Sequence, residues 1–298
     1  MKSFISRSII LGIISSLLWS TVFVAGRYLC DVLNIHPILV AFLRFAMAGI
    51  VSVAYIIIKG ESRSLLVIAK KPLLIILLSA TGIFGMGSSV FLALSRSTAV
   101  DVSIIMNSNA IFITPLAAII GERIRLRNIA GVIIGLIGCA IVINGGVTGF
   151  QIINTENIFG NLIAAVAAIC WAVYTVMGKR LVREYGGLAI TSLNMTVGSI
   201  PLLLLVTGIG ELALPPAKAM IVIAYLAVFP TAIGFALWYK ALEKIDAVRL
   251  GPLQYIVPVG TAIISLFTLD EQIKITSIAG MLLVFVGIYL SSMSEENS

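Results

Sequence analysis

Of 298 residues, 60% are hydrophobic and 11% charged, against about 45–50% and about 25% in soluble domains, so the chain has too few polar faces to cover itself in water. The formal net charge of +7 is spread between apolar runs, which excludes the clustered basic face of a nucleic-acid binder. Cys30, Cys139 and Cys170 stand singly, without CxxC spacing, and give neither a disulfide framework nor a metal site.

In chain order, MKSFISRS followed by an apolar run from Ile9 has the shape of a signal peptide's front. The run continues through Trp19 to Leu29 without a small-residue cleavage site, so a retained first span is expected. A span needs about 20 mostly apolar residues. Ten stretches meet or approach this: Ile9–Leu29, Pro37–Ile58, Pro72–Leu94, Val102–Gly121, Ile129–Asn144, Phe159–Leu181, Leu188–Thr207, Ala217–Ala241, Leu250–Leu269 and Ser277–Ser292. These lengths, without polar–apolar alternation, predict helices and not barrel strands. The fold class is an all-α polytopic membrane protein of ten transmembrane helices. His36, the single histidine, precedes Pro37 and is expected as an entrance residue of the second span.

Placing the N-terminus inside puts fifteen of the twenty basic residues on the cytoplasmic side, including Lys70, Lys71, Arg123, Arg125, Arg127 and Lys179. The longest outer connection, Gly145–Ile158, has no Lys or Arg. This is a positive-inside pattern with both termini cytoplasmic.

The chain also repeats itself. Ala99, Val100, Glu122, Ile124, Ala130, Gly131 and Gly138 recur in order as Ala247, Val248, Glu271, Ile273, Ala279, Gly280 and Gly287. The offset is 148 residues at the start (99 to 247) and 149 from the glutamate onward (122 to 271). Trp19, Gly26 and Arg27 likewise match Trp171, Gly178 and Lys179. Five spans per half is an odd number, so the second half enters the membrane reversed. Accordingly ERIRLRN in the first half becomes EQIKITS in the second, losing its arginines. The domains are therefore two inverted five-helix repeats, residues 1–145 and 157–293. Gly131 and Gly135 form a GxxxG on the fifth span, expected to mark a close helix crossing within or between chains.

No Walker-type loop and no His/Cys/carboxylate cluster occurs, so neither an enzyme nor a cofactor is implied. Almost all of the thirteen carboxylates lie at span ends, so a proton relay would have to use a boundary acid. Arg44 is the one charge well inside a span, where lipid exposure costs about 2.5–3.5 kcal/mol on insertion scales. A role facing a cavity competes with snorkelling to the interface. Asn194 occupies the matching position of the other half, 150 residues on (44 to 194). Asn107 and Asn109 lie in the fourth span, and Asn109 aligns with Pro258 of the ninth. Pro115, Pro201, Pro230 and Pro258 each interrupt a span, releasing a carbonyl for a ligand or simply bending the helix for packing. Trp19, Phe23, Trp171, Tyr174, Tyr239 and Tyr255 are candidates for an aromatic cavity wall, ordinary interior packing being the alternative. Trp238 and Tyr239 also suit an aromatic belt at the cytoplasmic boundary.

Trp19 with Gly26-Arg27, the LRF of Leu43–Phe45, the paired GERIRLRNIAG and DEQIKITSIAG, and Leu253-x4-Pro258 together resemble the EamA-type exporters of the drug/metabolite transporter superfamily. The resemblance covers both halves. It implies a secondary transporter of the inner membrane, exporting amino acids or similar small metabolites by alternating access. Its alternatives are a carrier of drug-like compounds, sugar nucleotides or lipid precursors, and, outside carriers, a channel. The partners implied are a small-molecule substrate, protons as coupling ion, the lipid bilayer and a second copy in a homodimer. Two residues depart from the family pattern, which usually has Pro at Asn109 and Gly at Asp270; the first puts an amide where the family has an apolar kink.

Overall fold

The computed structural model describes residues 2–97, 99–143, 158–269 and 275–292, and every regular element among them is helical. Residues 145–157 and the second joint's Asp270, Glu271, Ile273 and Lys274 lie outside the described residues. The helices are α1 (Lys2–Arg27), α2 (Pro37–Ile58), α3 (Ser62–Ala69), α4 (Pro72–Leu78), α5 (Met86–Leu94), α6 (Ala99–Asn107), α7 (Asn109–Ile119) and α8 (Leu126–Ile143). They continue as α9 (Ile158–Tyr185), α10 (Gly187–Gly208), α11 (Ala217–Leu226), α12 (Gly234–Leu242), α13 (Ala247–Leu250), α14 (Ile256–Leu269) and α15 (Ile275–Ser292). Among the described residues, seven stretches are long and apolar enough to cross a bilayer, and Ile105–Ile119, Leu126–Gly138 and Leu282–Ser291 are shorter apolar helices. The protein is a multi-pass membrane protein.

Local chemistry sets several boundaries. Pro37 opens α2, where a missing N–H costs nothing, and His36 Nδ1 accepts from the Ile38 amide at 3.3 Å. The expected entrance role of His36 is thus a cap. Gly186, at φ 84°, turns the chain between α9 and α10 in one residue, a conformation L side chains resist. The connection after α2 contains a short helix, α3, whose Ile68 is buried.

Four segments depart from α geometry among the described residues. The chain widens into π-helical turns at Tyr28–Val32, Ser79–Gly85 and Ala227–Ile233, and tightens to 3-10 at Gly251–Tyr255. The fourth stretch, expected as one helix, is instead broken at Ser108 between α6 and α7.

Long-range packing runs between N-terminal and C-terminal segments. α2 lies along α10 and α8 along α15; α1 contacts α12 and α14, while α9 contacts α5, α6 and α7. The α8–α15 crossing is a backbone contact. A Cβ on Gly138 would stand 2.6 Å from Val284 N and 2.7 Å from Gly280 O; one on Gly287 would stand 2.6 Å from Gly135 N and 2.7 Å from Gly131 O. The GxxxG of Gly131 and Gly135 therefore works within the chain. A polar clasp locks its register: Asn128 Nδ2 donates to Ser291 O at 2.9 Å and Ser291 Oγ to Asn128 O at 3.3 Å, while Tyr255 Oη ties the Gly251–Tyr255 segment to Val132 O at 3.0 Å.

Main-chain atoms cannot swing aside as a side chain can. Gly138→Ala should therefore destabilise by about 1–3 kcal/mol, the usual range for overpacking. Gly208→Ala, where a Cβ meets nothing within 4 Å, should not lower the thermal midpoint of the detergent-solubilised protein, alanine being the better helix former. Equal midpoints for the two variants would contradict the backbone crossing.

Candidate functional site

Pro230 begins the construction of the site. It has no N–H to give the carbonyl one turn back, that of Leu226, and the helix widens around it into the Ala227–Ile233 π turn. The Thr231 hydroxyl donates to Leu226 O at 2.6 Å, and the Pro230 carbonyl accepts Trp19 Nε1–H at 2.8 Å. Thr231 Oγ1 then accepts Arg44 Nε–H at 2.5 Å, tying α2 to the interrupted helix. The guanidinium carbon of Arg44 lies 5.0 Å from the Phe45 ring centre and 5.6 Å from that of Phe91, both within cation–π range. Arg44 is 4% exposed and has no carboxylate partner among the described residues. It is held inside the bundle and does not snorkel.

A cavity of about 50 Å³ opens beside it. One water needs about 10–15 Å³ on this measure, so the cavity holds a few waters. Arg44, Asn107 and Gln254 supply its polar side chains, among apolar walls that include Phe23, Met86 and Met106. Trp19, Trp171 and Phe235 complete an aromatic corner: Trp19 meets Trp171 edge-on at 5.2 Å and Phe235 at 5.6 Å, and Trp171 meets Phe235 at 5.3 Å.

Among the residues singled out by sequence, Trp19, Phe23, Arg44, Asn107 and Trp171 line this cavity. Asn109 stands behind it, its Nδ2 donating to Met106 O at 2.7 Å and to Gln254 Oε1 at 3.0 Å. Asn194 belongs to a separate buried cluster, accepting from Ser79 Oγ at 3.3 Å and donating to Tyr174 Oη at 3.4 Å. Tyr239 Oη joins that cluster through Tyr174 O at 3.0 Å. Tyr255 serves the α8–α15 crossing, and Pro258 is buried without lining the cavity. Trp238 and Tyr239 are wholly buried, with Trp238 5.1 Å from Trp19, so neither is a belt residue. Sequence reasoning missed Gln254, Thr231 and Phe235. Gln254 carried a signal, an amide inside an apolar run like Asn107; Thr231 had only its place beside Pro230.

Comparison with known proteins bears on this geometry. The model of the EamA-like transporter family matches residues 6–144 and again 158–293. The chain belongs to the EamA-like transporter family. An uncharacterized transporter of Archaeoglobus fulgidus is 32% identical over 278 residues, covering 91% of this chain and 94% of its own. The aromatic amino acid exporter YddG of Ancylobacter novellus is 25% identical over 260 residues, covering 85% and 86% respectively. A solved crystal structure superposes with a TM-score of 0.81 over 96% of both chains at 22% identity, a likeness of fold alone.

This EamA-family chain also carries an ionic brace at one end of the bundle. Lys179, at 3% exposure, reaches Glu122, at 6%, and Asp246 Oδ1 at 2.5 Å. Glu122 accepts in addition from the amides of Ala247 and Val248, each at 3.1 Å, at the positive start of α13. Arg183, half exposed, approaches Asp246 at 3.4 Å. The brace thus joins the loop after α7 to the end of α9 and the α12–α13 connection. Partial burial would raise the Asp246 carboxyl pKa, but the hydrogen bond and charge of Lys179, with Arg183 and Arg249, outweigh burial and hold it below the ordinary value.

Removing one member of a buried pair strands the other, at about 3–5 kcal/mol. Lys179→Met should therefore lower the thermal midpoint far more than Arg183→Met, whose exposed pair contributes about 0–1 kcal/mol. Similar midpoints for the two variants would contradict the brace. The depressed Asp246 pKa gives a second expectation. A carboxylate with a lowered folded-state value stabilises the fold above its unfolded pKa, about 3.9, and loses that contribution as pH falls through the lower value. The midpoint difference between wild type and Asp246→Asn should be full at neutral pH and shrink in acid below the ordinary carboxylate range; a pH-independent difference would contradict it.

Proposed function

We propose that this protein is a ten-helix secondary transporter that exports small metabolites bearing a carboxylate, amino acids and their relatives, across the inner membrane. Export proceeds by alternating access between two inverted halves, residues 1–145 and 157–293, with both termini in the cytoplasm and a gradient as the energy source. The observation that carries the substrate reading is Arg44: a guanidinium buried at a cavity, held through Nε, with its two terminal nitrogens lacking hydrogen-bond acceptors among the described residues. A guanidinium offers a carboxylate two parallel hydrogen bonds.

The inverted-repeat reading draws support from three pairings. The π turns Ser79–Gly85 and Ala227–Ile233 differ by 148 residues (79 to 227), the offset of Ala99 and Ala247. Arg44 bonds a hydroxyl in the second π turn, and Asn194, its counterpart, bonds a hydroxyl in the first. α1 packs on α12 and α14 much as α9 packs on α5, α6 and α7. The seven long and three shorter apolar helices fit ten crossings. The exporter name of the Ancylobacter novellus relative agrees with the class of substrate.

The aromatic corner favours one rival, an uncharged drug-like solute that would not need the charge. Arg44→Lys separates the two. Lysine keeps the charge but loses the fork and the Nε bond to Thr231. In liposomes, well-inserted Arg44→Lys should move carboxylate substrates at least tenfold more slowly than wild type, and Arg44→Ala more slowly still. Asn194→Ala should cost less. Equal rates for wild type and Arg44→Lys would remove Arg44 from the binding site.

A further inference from the structure

The hydrogen-bonding inventory of the Arg44 cavity narrows the solute further, resting on the reading of that cavity as the transport site. Trp19 Nε1 is spent on Pro230 O, and Thr231 Oγ1 both accepts from Arg44 and donates to Leu226 O. The amide orientation of Gln254 follows from its neighbour. Asn109 Nδ2 donates to a main-chain carbonyl, so that atom is the nitrogen, and the Gln254 atom 3.0 Å from it must be the oxygen. The amide nitrogen of Gln254 is then left buried without a partner, as is the indole N–H of Trp171.

Both residues line the cavity together with Arg44. Among the described residues that line it, the uncommitted donors are therefore the two terminal guanidinium nitrogens and, just beneath the wall, Gln254 Nε2 and Trp171 Nε1. Against them stands one side-chain amide carbonyl in the wall, that of Asn107, whose Nδ2 is spent on Ser103 O at 2.6 Å, with the unpartnered Oδ1 of Asn109 behind it. Among the described residues no Asp, Glu or His lines the cavity, and the rest of its wall is apolar or aromatic.

A carboxylate brings acceptors alone and matches this surplus of donors. An ammonium group brings a positive charge and three donors. It would face Arg44 at low dielectric with almost nothing to receive its protons. We infer that the solute is an apolar monocarboxylate without an α-ammonium group, such as an aryl-alkyl carboxylate or a 2-oxo acid with an apolar side chain. The zwitterionic amino acid with the same side chain binds more weakly. The carboxylate sits on Arg44 with Gln254 and Trp171 as further donors, and the apolar group lies against the aromatic corner as the cavity widens.

The chain has three tryptophans, and all belong to this corner, Trp19 lying 5.2 Å from Trp171 and 5.1 Å from Trp238. Intrinsic tryptophan fluorescence therefore reports on the cavity without requiring transport. Three probes share a phenylalkyl skeleton: phenylpropanoate has the carboxylate alone, phenylalanine both groups, and phenylethylamine the amine alone. Titrated into the purified full-length protein, phenylpropanoate should bind at least tenfold more tightly than phenylalanine, and phenylethylamine should give no saturable change. Gln254→Glu supplies the missing acid with little change of shape and should move the preference toward phenylalanine by tenfold or more.

Phenylalanine or phenylethylamine binding as tightly as phenylpropanoate would overturn the inference, as would no saturable response to phenylpropanoate. If phenylalanine wins while Arg44→Lys still weakens its binding tenfold, the carboxylate site stands and the narrower class falls. If Arg44→Lys binds phenylpropanoate as wild type does, the reading of the cavity falls with it.

Discussion

Hydrocarbon offers no partner to a peptide group, so a membrane helix that leaves α geometry must find partners for its backbone within the protein. Pro230 shows what this demand produces. The π turn around it, the hydroxyl of Thr231 and the indole of Trp19 all answer to the altered hydrogen bonding of one turn. The same hydroxyl fixes Arg44. The guanidinium is thus oriented by the repair of a helix, and the cavity takes its polarity from that repair.

The regular parts of the bundle do the opposite work. At α8 and α15 glycine backbones touch, and among the described residues no lining side chain of the cavity comes from either helix. This pair is built to stay together. The irregular segments, Ser79–Gly85, Ala227–Ile233, Gly251–Tyr255 and the break at Ser108, fall in the stretches around the cavity and the Asn194 cluster. Rigid crossings on one side and interrupted helices on the other divide a scaffold from the parts that can rearrange around a solute.

The membrane class and the positions of the helices were legible because apolar length is a property of contiguous residues. Arg44 was legible for a related reason: a charge inside an apolar run has few physical solutions. The neighbours of each side chain were not. Asn194 matches Arg44 in depth, yet it faces Ser79 and Tyr174, because the helices packed on it, and not its own helix, decide what it meets. Trp238 and Tyr239 look like belt residues on a regular helix. The π turn before them adds a residue and rotates all that follows by about 100°, and both are buried. Gln254 lies in a 3-10 segment whose tighter winding hides it from any α-helical phase argument in the same way.

The brace around Glu122 sets a condition on how the protein is made. Its partners lie 57, 125 and 126 residues further along the chain, in Lys179, Ala247 and Val248. A ribosome delivers Glu122 to the membrane well before any of them. During that interval the carboxylate has no partner from its own half among the described residues, and headgroups or water must solvate it. The contacts around Glu122 are therefore complete only once the α12–α13 connection has been synthesised. The N-terminal half, however early it inserts, waits on the C-terminal half to close.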